Sequence, residues 1–175
     1  IQQYTALSFS FIFLDNSLSS HGEAFLAHIL ILDDVPEILD TMGTFLSAYE
    51  HTVSVFTDPR RALDNFPLSH FDLIITDALM PHINGDEFIC RLNEMIAPKR
   101  IPIIVLSGGA TDNKNKSLLN NILKNVDFFL TKPVAPDQLL DTVNRALALQ
   151  TQSTKDKQFE AVRLGLYKSN ARRVL

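Results

Sequence analysis

The sequence lacks the features that mark small secreted domains and membrane proteins. Cys90 is the single cysteine among 175 residues, which excludes an internal disulfide framework and a cysteine-cluster zinc site. The apolar stretch at residues 4–14 is much shorter than the roughly 20 residues of a membrane-spanning helix. No Lys or Arg precedes Arg60, so the basic start of a secretory signal is missing. These absences predict a cytoplasmic protein without a membrane segment.

The chain also lacks an excess of basic residues. It has 16 Lys and Arg against 20 Asp and Glu, a net charge of −4, which excludes electrostatic binding of nucleic acid by the chain as a whole. The charge is uneven, because residues 1–150 hold 10 basic and 18 acidic residues, whereas residues 151–175 hold 6 and 2. With 46% hydrophobic residues, the composition is ordinary for a packed core. It predicts one acidic globular domain followed by a basic tail.

Short apolar runs alternate with helix-period segments from residue 28 to about residue 150. The runs lie at residues 28–32, 51–56, 71–76, 101–106 and 126–130. Each is followed by apolar residues at helical spacing. The runs show little polar alternation, as expected when both faces of a sheet are covered. The pattern predicts an α/β fold, a doubly wound parallel sheet of five strands in strict alternation with five helices.

The ends of four of these runs carry side chains suited to phosphate or metal chemistry: Asp33 and Asp34, Asp77, Ser107, and Lys132. Ligands of open α/β sheets bind beyond the carboxyl ends of the strands. Three carboxylates at that edge repel each other, and Mg²⁺ with oxygen ligands would neutralise them. A carboxylate beside such a cation can attack phosphorus, while an ammonium and a hydroxyl stabilise the transferring group. The pattern indicates phosphoryl transfer to a carboxylate.

At these positions the sequence resembles the receiver domains of bacterial two-component response regulators, the chemotaxis regulators among them. The blocks that carry the resemblance are ILILDDVPEIL, IITDALMPHINGDEF, IVLSGG and FFLTKP, and together they cover about residues 28–150. One block alone is a weak signal, whereas four in this order, spaced by whole strand–helix units, are specific. The resemblance implies a flavodoxin-like sheet with strand order 2-1-3-4-5 and helices on both faces.

The resemblance also implies a role for each carboxylate. Asp77 would be the phosphoacceptor and a ligand of Mg²⁺. Asp34 would bind the ion directly and Asp33 mainly through water, with the backbone carbonyl of Leu79 as a further ligand. The Leu79 side chain is apolar where the family often has a polar one, which favours a long-lived phosphoryl state.

The remaining site residues follow from the same resemblance. Lys132 would pair with the phosphoryl group, Ser107 would turn toward it, and the Lys132–Pro133 peptide bond would be cis. Phe129 stands at the family's aromatic switch position, although a phenylalanine in an apolar strand is equally consistent with core packing.

These roles imply a magnesium-dependent phosphoprotein of a phosphorelay. A sensor histidine kinase or a histidine phosphotransfer protein would donate the phosphoryl group, and the receiver would then switch a protein-interaction face. Such a domain is not an enzyme for a separate substrate, since it assists only its own phosphorylation and dephosphorylation. The receiver itself would not bind nucleic acid, and a homodimer remains open.

The predicted organisation has three parts. Residues 1–26 form a weakly ordered or adventitious extension, residues 27–150 form the receiver domain, and residues 151–175 form a basic amphipathic helical tail or linker. In the alternative reading, the chain is the receiver part of a longer DNA-binding regulator, signalling enzyme or hybrid kinase. A third reading, a magnesium phosphatase that works through an aspartyl phosphate, is less favoured. Such haloacid dehalogenase-type enzymes have Asp-x-Asp after the first strand, whereas Asp33 and Asp34 are adjacent.

Overall fold

The computed structural model describes residues 2–4, 26–66, 70–96, 100–108 and 121–149. The strands are β1 (Gln2–Tyr4), β2 (His28–Leu32), β3 (Thr52–Phe56), β4 (Leu73–Asp77), β5 (Ile103–Ser107) and β6 (Phe128–Thr131). The helices are α1 (Pro36–Ala48), α2 (Pro59–Asn65), α3 (Gly85–Ile96) and α4 (136–149). The strands form one sheet in the order β1-β3-β2-β4-β5-β6.

Strands β2 to β6 are the five predicted parallel strands. Every neighbouring pair among them is parallel, and their order corresponds to the expected 2-1-3-4-5, so the predicted flavodoxin-like fold is confirmed. Four of the predicted strands begin one or two residues too early. Phe71 and Ile101, for example, are 1% and 3% exposed but precede the ladder. Their hydrophobicity reflects burial in the core, which extends beyond the hydrogen-bonded strand.

Strand β1 is a sixth strand that the sequence did not predict. It pairs antiparallel with β3, with Gln2 opposite Val55 and Tyr4 opposite Val53. The five predicted parallel strands are thus joined by one antiparallel strand, and residues 2–4 belong to the sheet although they lie in the predicted extension. The physical reason is that β3 ends the parallel part of the sheet, and an added strand pairs the backbone groups along its outer edge. Residues 5–25 lie outside the described part of the chain.

The described helices cover both faces of the sheet, as predicted. One face carries α1 and α4, whose buried residues include Leu46 and Val143. The other face carries α2 and α3, whose buried residues include Leu63 and Phe88. A Pro36 side chain in the first turn of α1 fits a position that needs no backbone N–H. Each face therefore has its own apolar cluster, and the sheet lies between them.

Two predicted helices lie partly or wholly outside the described residues. Of the helix expected before β6, the structure describes residues 121–122 as helical, and Ile122 there is fully buried. The predicted helix within residues 155–175 lies outside the described residues, as does all of 150–175. Among the described helices, none combines the length and the apolar character that crossing a membrane requires.

Candidate functional site

Two carboxylates converge on one ammonium group at the carboxyl edge of the sheet. Lys132 Nζ lies 2.6 Å from Asp33 Oδ2 and 3.0 Å from Asp77 Oδ1. The three residues follow or end β2, β4 and β6, and their side chains are 1%, 9% and 22% exposed. The structure thus brings together three of the predicted site residues, from positions as far apart as 99 residues.

The backbone fixes the orientation of Asp33. Its N–H donates to the carbonyl of Phe56 on the neighbouring strand at 3.2 Å, which continues the sheet for one more residue. Its Oδ1 accepts a hydrogen bond from the N–H of Val35 at 3.0 Å, and this leaves Oδ2 for Lys132. Asp34, the next residue, is exposed. Only one carboxylate of the acidic pair is therefore in the buried cluster.

Asp77 is held by the turn that follows β4. The N–H of Ala78 donates to the carbonyl of Leu106 at 2.8 Å, and the N–H of Gly85 donates back to the carbonyl of Ala78 at 3.0 Å. A Cβ atom on Gly85 would lie 2.9 Å from the Asp77 carbonyl oxygen, so this close approach requires glycine. The hydroxyl of buried Thr76 also donates to the Asp77 carbonyl at 3.1 Å. Sequence reasoning missed Thr76, whose signal is a hydroxyl directly before a strand-terminal aspartate.

A backbone contact with β5 positions Lys132. Its N–H donates to the carbonyl of Ser107 at 2.7 Å, and the Lys132–Pro133 peptide bond is cis, as the resemblance implied. Ser107 itself is fully buried at the end of β5. The structure therefore places Ser107 beside Lys132 along the backbone, at the same edge as the carboxylates.

The charges in this cluster shift the pKa values of its members. Burial raises the pKa of Asp77, and the neighbouring Asp33 charge adds to the rise, while the ammonium of Lys132 opposes it. For Lys132, burial lowers the pKa, but the hydrogen bonds and charges of Asp33 and Asp77 outweigh it and raise the pKa overall. Lys132 therefore stays charged. It neutralises only one of two buried carboxylates, which leaves a site that attracts a further cation.

The donor set fits a hard divalent cation. Mg²⁺ takes oxygen ligands and commonly binds through one or two carboxylates with waters, and Asp33 and Asp77 supply two. Among the described residues, no group of three His, Cys, Asp or Glu side chains is arranged to hold a metal ion. Lys132 lies between the two converging carboxylates, and Asp34 is exposed. Magnesium binding here stays a prediction, and a bound cation would share the carboxylates of Asp33 and Asp77 with Lys132.

The last two predicted site residues pack against the apolar core. Leu79, two residues after Asp77, is half-buried, and so is Phe129 on β6. Both pack against the apolar cluster on the α2 and α3 face of the sheet. Phe129 thus occupies a boundary between core and surface, which is compatible with either of its two predicted roles.

Comparison with known proteins identifies the family. The profile of the response regulator receiver domain family matches residues 29–144. The chain is 29% identical over 136 residues to the 3′,5′-cyclic-nucleotide phosphodiesterase regA of Dictyostelium discoideum, covering 76% of the chain and 17% of that protein. It is 32% identical over 131 residues to hybrid signal transduction histidine kinase D of the same organism, covering 75% of the chain and 8% of that protein.

A solved structure shows the same fold. The CheY-like response regulator receiver domain protein of Methanospirillum hungatei JF-1 is 26% identical and superposes with a TM-score of 0.64, over 74% of this chain and 99% of that one. The chain spans less than a fifth of the two curated relatives above, whereas it spans nearly all of this single-domain structure. With a family match over residues 29–144, and with the predicted strand order and strand-end residues in place, the chain belongs to the response regulator receiver domain family of two-component systems.

Proposed function

We propose that Asp77 accepts a phosphoryl group from a phosphohistidine of a sensor histidine kinase or of a phosphotransfer protein. The observation that carries this proposal is the convergence of Asp77 and Asp33 on the ammonium of Lys132, within a cluster that is nearly buried. The cluster combines a nucleophilic carboxylate with a fixed positive charge at the reacting edge of the sheet. The domain acts as a phosphoacceptor for signalling in the cytoplasm and turns over no separate substrate.

In the proposed step, a carboxylate oxygen of Asp77 attacks phosphorus while the bond from phosphorus to the donor's imidazole nitrogen breaks. The imidazole leaves and takes up a proton, and the product is an acyl phosphate on Asp77. Negative charge on the transferring oxygens is stabilised by Lys132 Nζ, which already lies 3.0 Å from Asp77 Oδ1. Ser107, buried at the end of β5, supplies a hydroxyl donor at the same edge.

Magnesium belongs to the proposal as the resident cation. Members of the family generally bind Mg²⁺ in their active sites, and when bound the ion neutralises charge on the carboxylates and on the phosphoryl oxygens. We assign it to Asp33, Asp34, Asp77 and the backbone carbonyl of Leu79. The phosphoryl group would add roughly −1.5 to −2 charge, draw in Ser107 and change the packing of Phe129, which biases the interaction face.

The test is intact-mass measurement after incubation with a small phosphodonor and Mg²⁺. We expect the mass to increase by that of a single phosphoryl group. No increase should appear when a chelator removes the metal before the donor is added, or in Asp77→Asn. The matched control is Asp64→Asn, because Asp64 is exposed at the far end of α2 and its loss should leave labelling intact. Labelling that persists in Asp77→Asn would overturn the proposal, and steady turnover of phosphorylated substrates would favour the phosphatase.

The lifetime of the phosphoryl state gives a second test of the same site. Hydrolysis of an acyl phosphate needs a positioned water, and the apolar Leu79 side chain packs against the core instead of offering a polar group. We expect Leu79→Asn to lose its phosphoryl group faster than the parent, by up to about tenfold if the amide orients water. The volume-matched change Leu79→Met should leave the rate unchanged. An unchanged rate in Leu79→Asn would contradict this interpretation.

The curated relatives support a second candidate, in which the receiver regulates a larger protein. One is named as a phosphodiesterase and the other as a hybrid histidine kinase, and the chain matches only 17% and 8% of their lengths. Intact-mass measurement of the native protein distinguishes the two cases. A mass well above the 19.6 kDa of this chain would favour the larger regulator.

A further inference from the structure

A groove runs between α1 and the segment that leads into α4. Its volume is about 660 Å³, and its apolar lining includes Ile38 and Met42 on α1, and Val134 and Leu139 on the opposite side. Lys132 of the candidate site also lines it. The groove is therefore an apolar surface that adjoins the reacting edge of the sheet.

The charge around this groove is acidic. Glu37 lines it, and Asp34 and Asp137, which flank the starts of α1 and α4, are exposed. The one basic residue in the lining, Lys132, is already bound to Asp33 and Asp77. A segment that fits this groove would have an apolar stripe flanked by basic side chains.

The chain itself contains such a segment beyond α4. Residues 155–175 lie outside the described residues, but their sequence has Phe159, Val162 and Leu166 at i, i+3 and i+7. Residues 159–166 hold one acidic and one basic residue, and the net charge of +4 over residues 151–175 comes from the residues on either side of them. The nine residues 150–158 can extend to about 30 Å, whereas α4, with 14 residues, is only about 21 Å long. The segment can therefore return along α4 to the groove at its start.

We propose that residues 159–166 dock by their apolar side chains into the groove between α1 and α4. The basic side chains of the tail then face Glu37 and its acidic neighbours. The docking rests on the lining of the groove and on the sequence of the tail, and not on the proposed function.

Cross-linking in the chain of residues 1–175 tests the docking directly. In a Cys90→Ser background, Thr41→Cys places a thiol in the groove and Val162→Cys places one in the tail. The control pairs Val162→Cys with Glu94→Cys, since Glu94 is exposed on α3, on the opposite face of the sheet. With a short bismaleimide, we expect the groove pair to form an intramolecular link about tenfold faster than the control pair, because docking raises its effective concentration.

Two substitutions should reduce the difference in cross-linking rate between the two cysteine pairs if the tail occupies the groove. Glu37→Lys removes the acidic contact and Leu166→Asp removes an apolar one, and each should slow the groove cross-link toward the control rate. Equal rates for the two cysteine pairs would overturn the proposal. So would a link that forms only between chains and rises with protein concentration, since the occupant would then be a second copy.

A phosphorylation assay separates this proposal from the preceding one. Cross-linking requires no phosphoryl transfer, so a chain that docks its tail but takes no label would contradict the proposed function alone. A chain that takes label but shows no preferential cross-link would contradict the docking alone.

Discussion

The two ends of the same parallel sheet use their carboxylates in opposite ways. At the amino end, Asp72 Oδ2 accepts from the N–H of His28 at 2.9 Å, and Asp127 Oδ2 accepts from the N–H of Ile103 at 3.0 Å. Each of these carboxylates satisfies the backbone where β2 or β5 begins. At the carboxyl end, Asp33 and Asp77 instead face each other across the ammonium of Lys132.

The difference shows which end is built for stability and which for chemistry. At the amino end, the carboxylates of Asp72 and Asp127 accept backbone hydrogen bonds that hold the first residues of β2 and β5 in place. At the carboxyl end, burial raises the pKa of Asp77, so the folded protein disfavours the charged form of this carboxyl group. The carboxyl end therefore holds charge that a cation or a chemical modification can relieve. This contrast leads to four predictions, which run from the largest expected effect to the smallest.

Removal of the Lys132 ammonium should lower the free energy of unfolding more than any of the other changes. Lys132→Met leaves Asp33 and Asp77 without their compensating charge, and breaking a buried ion pair on one side costs about 3–5 kcal/mol. Because the Lys132 side chain is 22% exposed, we expect a loss of about 2–4 kcal/mol of unfolding free energy, measured by urea unfolding in the presence of a chelator. Mg²⁺ should restore part of it.

The control for this variant is Lys124→Met, because Lys124 is exposed and distant from the carboxylates in sequence. It should change the free energy of unfolding by less than about 0.5 kcal/mol. A Lys132→Met protein as stable as the parent, with chelator present, would show that the two carboxylates need no cation and would remove the contrast between the two ends.

The amino-end carboxylates should be stabilising, each by a smaller amount. Asp72→Ala leaves the N–H of His28 without its acceptor, and Asp127→Ala does the same for Ile103. We expect each change to lower the unfolding free energy by about 1.5–3 kcal/mol, the usual range for a hydrogen bond to a charged group. The accompanying ion pair of Asp127 with Arg100 should add little, since the Arg100 side chain is 76% exposed. Arg100→Gln, which keeps the backbone contact, is the matched control.

Sequence patterns predicted the carboxyl end well and the amino end poorly, for a physical reason. Asp33, Asp77, Ser107 and Lys132 each end or directly follow an apolar run, and parallel strands necessarily bring those ends to one edge. Asp127 has no comparable signal, because an acidic residue before a strand is ordinary in a loop until the neighbouring strand's N–H is known. The partner is set by strand order, which periodicity does not give.

The finer geometry of the site was also beyond the sequence. The acidic pair gives no local reason for Asp33 to be buried and Asp34 exposed, because that choice depends on the Phe56 carbonyl of the neighbouring strand. Strand β1 was missed because residues 2–4 are too short for any period to be measured. The hydrophobic runs thus predicted the elements, whereas contacts between strands determined the orientation of individual side chains.

Neutralising Asp77 should raise the free energy of unfolding, whereas the substitutions at the amino end should lower it. The folded protein disfavours the charged form of this carboxyl group, chiefly through burial, and Asn keeps nearly the same shape without the charge. We expect Asp77→Asn to raise the unfolding free energy by about 1 kcal/mol at neutral pH without Mg²⁺. Asp72→Asn, the same substitution at the amino end, should lower it. A lower free energy of unfolding in both Asp77→Asn and Asp72→Asn would show that the two ends of the sheet do not differ in this respect.

The smallest effect should come from a buried histidine at the amino end. His51 precedes β3 and is 4% exposed, and in the part of the chain that the structure describes its Nδ1 has no hydrogen-bond partner. Burial lowers the pKa of His51 below 6.5, so the unfolded chain binds a proton more readily than the folded one. The stability that neutral His51 contributes to the folded protein is complete above pH 6.5 and is lost as the pH falls toward the lowered pKa of the folded state.

Substitution of His51 separates its contribution to the pH dependence of stability from the contributions of the other titrating groups. We expect the parent to lose about 1 kcal/mol or less through His51 between pH 7.5 and pH 5, and His51→Gln to lack that part of the pH dependence. His70→Gln serves as the control, since His70 is exposed and lies near the same end of the sheet. If His51→Gln and the parent lose stability in parallel, the acid sensitivity arises elsewhere.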